Sequence, residues 1–353
     1  MSPLGCGSHT YSITHRSGGF VTASGVLTSV EWNRTLNDSS TAQVTIGVSG
    51  ANCCAELSQV RSWSQWLNLY RDDAFVWSGP ITGVDWGAET VTVTAVDLIG
   101  LLDRRVPHQN FTFTDTDVTE IARQLVEDGL APDDPGHTTT VIGPAMVTGG
   151  RTYAQNVGQT ADHLRDLADG GMDFTASGNN IIILPDGFCD VVGRLSDADL
   201  PEGVTVTEDG ASLATRQIVS ADTESTIVGT ADATGAVRDY YGLLEVYSQD
   251  TSIVTQADAQ TAAAARLASS AATPIVIDSQ NVTLAPTANV DLRSLVPGWC
   301  LQITTSATCL PVSQVLKIVG VQVSEDGGSG DTPGQERVLV QVAASGSEGT
   351  VLS

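Results

Sequence analysis

The strongest constraint on this chain is a period of two, clearest in Thr90-Val91-Thr92-Val93-Thr94-Ala95. Successive side chains of a β-strand point to opposite faces, so this run offers a Val/Ala face to a core and a Thr face to the other side. The residues before it share that rhythm. Trp66–Arg71 turns at Asp72-Asp73 into Phe75–Gly79, and Pro80–Trp86 continues to a turn at Gly87-Ala88-Glu89. Asp and Gly pairs between short Val-, Thr- and aromatic-rich runs predict an antiparallel meander.

The same reading extends along the 353 residues, which are long for one domain of ~100–200 residues. Residues 1–105 form a first β unit, with strands expected at Thr10–Thr14, Gly25–Asn33 and Ala42–Val48 and a helical turn at Cys53–Val60. Residues 106–200 change period. Val118, Ile121, Ala122, Leu125 and Val126 have helical spacing, Asp117 and Glu120 a capping-box spacing, and Gly129 marks a stop. A Pro- and Gly-containing loop, 131–150, precedes a second helix carrying Val157, Ala161, Leu164, Leu167 and Ala168. Ser177-Gly178-Asn179 then joins two strands of a hairpin. Residues 201–353 return to strands around one Ala-rich helix, about 256–272, opened by Thr255 and Asp258 and stopped at Thr273-Pro274. The fold class is therefore mainly β with an α+β insertion. Two β units of similar size hint at a duplicated barrel.

Charge excludes one class of function. The chain carries 41 acidic against 16 basic residues, a net charge of −25, and its single lysine is Lys317. Binding a phosphate backbone needs clustered Lys and Arg, so specific nucleic-acid binding is not expected. The acidity suits solubility; it also suits a wall that repels nucleic acid passing close by. No apolar run is long enough to span a bilayer, and the N-terminus lacks the pattern of a signal peptide.

The motifs of catalysis are missing. The five histidines are scattered, with no His-Glu-x-x-His, nucleophile elbow or P-loop. The loop 326–334 is Gly-rich, and a solvated hairpin loop is favoured over calcium binding by Asp326 and Asp331. Asp133 and Asp134 read as a turn. Five of the six tryptophans lie in the first β unit; Trp63 and Trp66 could make a sugar platform, but packing is the favoured role. The six cysteines show no zinc spacing. Cys300 and Cys309 could face each other across a hairpin, although free thiols are expected in a protein assembled in the cytosol. We expect no cofactor, no metal and no enzymatic activity.

One series of residues resembles a known family. Cys53-Cys54-Ala55-Glu56-Leu57, Trp63, Tyr70-Arg71-Asp72, Val76-Trp77-Ser78-Gly79-Pro80-Ile81, then Asp97-Leu98 and Asp103-Arg104-Arg105 resemble minor tail proteins of siphoviruses infecting actinobacteria. Farther on, Leu295-Val296-Pro297-Gly298-Trp299 is similar to the entry into a barrel strand in phage hub proteins. The motifs cover a small part of the chain; the order of elements agrees over nearly all of it.

The resemblance implies two hub-type β-barrel domains, 1–105 and 201–353, flanking the α+β domain 106–200. It implies a structural role as a baseplate-like hub: a homotrimer at the distal tail tip of the virion, assembled in the host cytoplasm. Its partners would be the distal tail or tail tube protein, the tape measure protein and other tail-tip or receptor-binding proteins. DNA would pass through its lumen during genome ejection. The chain ends at Ser353 soon after the last expected strand, so no lysin extension is expected. A distal-tail ring adaptor and a β-rich glycan-binding adhesin remain alternatives, the second disfavoured by the missing secretion signal.

Overall fold

The computed structural model describes residues 4–353 except 17, 25–26, 49–54, 209, 211–212, 223–225, 251–254, 271–274, 279–280, 327–334, 345–349 and 352–353. Two compact units divide the chain. The larger comprises Met1–Val204, Ser279–Ala307 and Val315–Ser345; the smaller comprises Thr205–Asp278, Thr308–Gln314 and Gly346–Ser353.

The larger unit is built on the meander. Strands β1 (His9–His15), β2 (Phe20–Ser24), β3 (Ser29–Thr35), β4 (Thr41–Gly47), β5 (Gln65–Arg71), β6 (Ala74–Trp86) and β7 (Thr90–Val96) all belong to one thirteen-stranded sheet. In it β4, β7, β6, β5, β1 and β2 lie side by side. The alternation of β7 becomes strict burial of Val91, Val93 and Ala95. Asp72 and Asp73 both take positive φ, 50° and 62°, the two-residue geometry whose twist matches paired strands.

The sheet then reaches across the sequence. Val312–Asp326 pairs antiparallel with β3, placing Val323 opposite Trp32, and Gln335–Ala344 pairs with Val312–Asp326. Val191–Ser196 runs parallel to Cys300–Thr305 at the far end. The strand order is an open path from Val191–Ser196 to β2, and among the described residues it does not close into a ring.

The α+β segment supplies a separate core. Helices Leu98–Leu102, Val118–Leu130 and Thr160–Ala168 pack with the hairpin Met172–Ser177/Asn180–Pro185 around Ile121, Leu125, Leu164 and Phe174. Asp117 caps its helix by accepting from Thr119 N (3.0 Å), while Glu120 holds Arg123 and Gln124 instead of reaching back. Gly129 stands one residue before the helix ends at Leu130. It lies inside the helix, where an added Cβ would meet Thr160 Oγ1 at 3.0 Å, so it permits helix–helix contact. The stretch expected as a loop, 131–150, contains the strand Thr138–Val141, parallel to Asn180–Pro185, and the start of Thr148–Tyr153. Val157 precedes the second helix and is exposed.

In the smaller unit, Val228–Asp232, Arg216–Ser220 and Glu245–Gln249 form a three-stranded sheet in that order. The helix Gln256–Ser270 packs on it through Ala259 and Ala263 against Val219. Thr255 and Asp258 open that helix reciprocally, Thr255 Oγ1 donating to Asp258 at 2.6 Å and accepting from its N–H at 3.2 Å. The expected stop at Thr273-Pro274 lies outside the described residues.

One expectation is corrected outright. Cys300 is bonded to Cys189, with Cα atoms 5.1 Å apart, whereas Cys309 is free and exposed, as is Cys6. Spacing along the sequence suggested the near partner. The parallel pairing of Val191–Ser196 with Cys300–Thr305 brings the distant one alongside.

Candidate functional site

The family-signature residues act on the sheet's architecture. Strand β6 changes partner midway: Ala74–Pro80 pairs with β5, and Ile81–Trp86 pairs with β7. Gly79 and Pro80 sit at this change. A Cβ on Gly79 would lie 1.7 Å from Val96 O, so only glycine allows the two backbones to approach so closely. Trp77 is buried and donates from Nε1 to Asn33 O (3.1 Å). Tyr70 meets Phe75 edge-on at 5.8 Å.

Arg71 is a long-range tie. Its guanidinium binds Glu336 through Nε (2.6 Å) and Nη2 (2.8 Å), and Glu336 also accepts from the N–H groups of Gly5 and Gly7. Burial pushes the Glu336 carboxyl up, but the hydrogen bonds and charge of Arg71 outweigh it and hold it below the ordinary range. The bidentate pair joins residues 265 positions apart.

Two other buried polar side chains, Arg34 and His9, were not singled out from the sequence. Arg34 donates to the carbonyls of Leu295 (3.0 Å) and Val76 (2.8 Å) over the Trp32 ring, and desolvation lowers its pKa to about 10. His9 accepts from Trp32 Nε1 (3.1 Å) at Nε2 and holds Glu325 at Nδ1 (2.6 Å). No local pattern marks either, because their partners are far away in sequence.

Asp97 caps the helix Leu98–Leu102, accepting from Gly100 N and from the N–H of Ser40, the residue just before β4, each at 3.0 Å. Burial dominates and raises its pKa to about 6. Arg105 reaches Asp133, and Arg104 lies 5.3 Å from the centre of the Trp63 ring. Pro297 and Gly298 are buried at the entry to Cys300–Thr305; Gly298 takes a φ of 96°, and its N–H donates to Ile318 O (2.8 Å). Cys53 and Cys54 lie outside the described residues.

No group of three His, Cys, Asp or Glu side chains among the described residues could hold a metal. Asp133 is engaged by Arg16 and Arg105, and Asp134 by His137 and Gly136 N. Both border an open surface depression of about 600 Å³ with His15, Arg16, Trp63 and Ser64. Trp66 is buried and does not join Trp63 there. Asp331 of the Gly-rich loop lies outside the described residues. No described helix is long and apolar enough to cross a membrane. What the residues do together is hold distant strands in register.

No protein-family model matches the chain, and none of the curated proteins does. Solved structures do. The 43 kDa tail protein of prophage MuSo2 from Shewanella oneidensis superposes with a TM-score of 0.60 at 13% identity, covering 96% of this chain and 98% of that one. The chain has the fold of phage tail proteins. A tail protein from Neisseria meningitidis gives 0.56 at 12% identity over 94% and 96% of the two chains. A chain of the Francisella PdpA–VgrG complex gives 0.54 at 8% identity over 97% of this chain and 58% of its own length. At such identities the likeness is one of fold, and it spans nearly all of this chain.

Proposed function

We propose that this chain is the hub subunit at the distal tip of a siphovirus tail, with an actinobacterial host, and that it works as architecture without enzymatic activity. The observation that carries the reading is end-to-end agreement with phage tail proteins, 96% of this chain against 98% of the MuSo2 protein. Likeness to a chain of a VgrG complex supports a hub over a tube or ring subunit. On this reading the two β units are hub-type barrel domains flanking the α+β domain, as the series through Trp77, Gly79 and Pro80 implies.

The subunit forms a homotrimer that joins the tail tube or distal tail ring above to the tip below, meets the end of the tape measure protein, and surrounds the path of the exiting genome. Three copies concentrate three times the −25 charge around that path. Carboxylates facing the lumen repel DNA phosphates and keep the genome from sticking. An architectural ring needs broad patches and strand edges, not a convergent catalytic set.

Immunogold labelling of intact virions with antibody to this chain tests the placement. Gold at the distal end of the tail supports the hub. Gold along the tube or at the capsid contradicts it.

A further inference from the structure

The three-stranded sheet of the smaller unit has two outer edges, and the chain treats them differently. At Val228–Asp232, two glutamines of the neighbouring helix stand in for a fourth strand. Gln256 donates to Val228 O (2.6 Å) and accepts from Val228 N (3.3 Å); Gln260 does the same at Thr230 O (2.6 Å) and N (3.3 Å). A side-chain amide carries one donor side and one acceptor side, as a peptide does. Four helical residues rise about 6 Å and two strand residues about 6.6 Å, so the glutamines keep step with the strand. That edge is closed.

The opposite edge has no partner strand among the described residues. Glu245–Gln249 pairs only with Arg216–Ser220 among the described residues. Large apolar side chains surround it: Tyr240 is 82% exposed, Leu243 49%, Val246 40% and Tyr247 54%. An open strand edge flanked by exposed apolar groups is a template for association. The charge of this stretch argues for a second copy as the occupant. Between Tyr240 and Gln249 the sole charged residue is Glu245, and Arg216 lies 3.3 Å from it; Arg266 reaches Ser248 and pairs with Asp250 (3.0 Å), so the charges at this strand are matched by opposite ones. Two copies of a chain carrying −25 repel each other over most of their surface, and they meet at least electrostatic cost where the local charges are already paired.

We infer that the strand Glu245–Gln249, with Tyr240 and Leu243, is a contact with a second copy of this chain. The inference rests on the trimeric reading above, in which the contact is heterologous: this edge of one copy meets a different surface of the next.

Sedimentation velocity on the full chain tests this with Leu243→Lys, which leaves strand pairing untouched, and with the combined Tyr240→Ser, Leu243→Ser and Val246→Lys. The wild type is expected to be trimeric. The combined variant should dissociate roughly a hundredfold more readily, with an unchanged circular dichroism spectrum. Trimers persisting in both variants overturn the inference and leave the hub reading standing. A monomeric wild type overturns both. A wild-type dimer split by the variants supports the edge contact and contradicts the threefold hub.

Discussion

At the residue scale, Asp97 and Gly79 make the sharpest predictions. The folded-state pKa of Asp97, about 6, lies above its ordinary 3.8, so the folded state binds more protons between those values. Stability from this group is therefore greatest below pH ~4 and falls as pH rises to ~6, a loss of up to about 3 kcal/mol. Urea unfolding of wild type and Asp97→Asn between pH 4 and pH 7 should show that decline only in the wild type; parallel profiles would contradict it. Glu336 has the opposite sign. Its pKa is held down, so its contribution is present above its ordinary pKa of 4.5 and lost as pH falls through the lowered value. Gly79→Ala places a methyl against Val96 O and should cost about 3 kcal/mol or more in thermal or urea unfolding, whereas a neutral result would disprove the close approach. Gly79 was singled out in the sequence by resemblance, but its reason was not visible there. The Val96 carbonyl comes from a different strand.

At the element scale, legibility followed locality. The hairpins at Asp72-Asp73 and Ser177-Gly178-Asn179 were readable because the turn residues and both strands lie in one short window. Thr138–Val141 and Val191–Ser196 were missed, since each is short and pairs in parallel with a strand remote in sequence. The disulfide was missed for the same reason: 111 residues separate Cys189 from Cys300. A cross-link closing so long a loop stabilises a fold by roughly 2–5 kcal/mol. Guanidinium unfolding with and without reductant should show a loss of that size, and thiol titration of the unreduced protein should count neither cysteine. The closed edge is equally testable. Gln256→Ala with Gln260→Ala strips four hydrogen bonds from Val228 and Thr230 and should speed amide exchange at both positions, with no change expected if the glutamines are incidental.

At the scale of the whole molecule, the β-rich class and the α+β insertion were legible from period and turns. The joining of the C-terminal strands to the N-terminal meander was not. The alternation in Val312–Asp326 shows which residues are buried, but nothing in it names β3 as the neighbour. The candidate site had little local signal for a physical reason: Arg71 binds Glu336 and Arg34 binds the carbonyl of Leu295, partners more than 250 positions away that no local pattern names. Cryo-EM of the purified chain is the decisive test of the proposed threefold hub around an acidic conduit. A closed ring of three copies around a lumen lined by Asp and Glu side chains is expected. A monomer, or a ring whose lumen is neutral or basic, would contradict it.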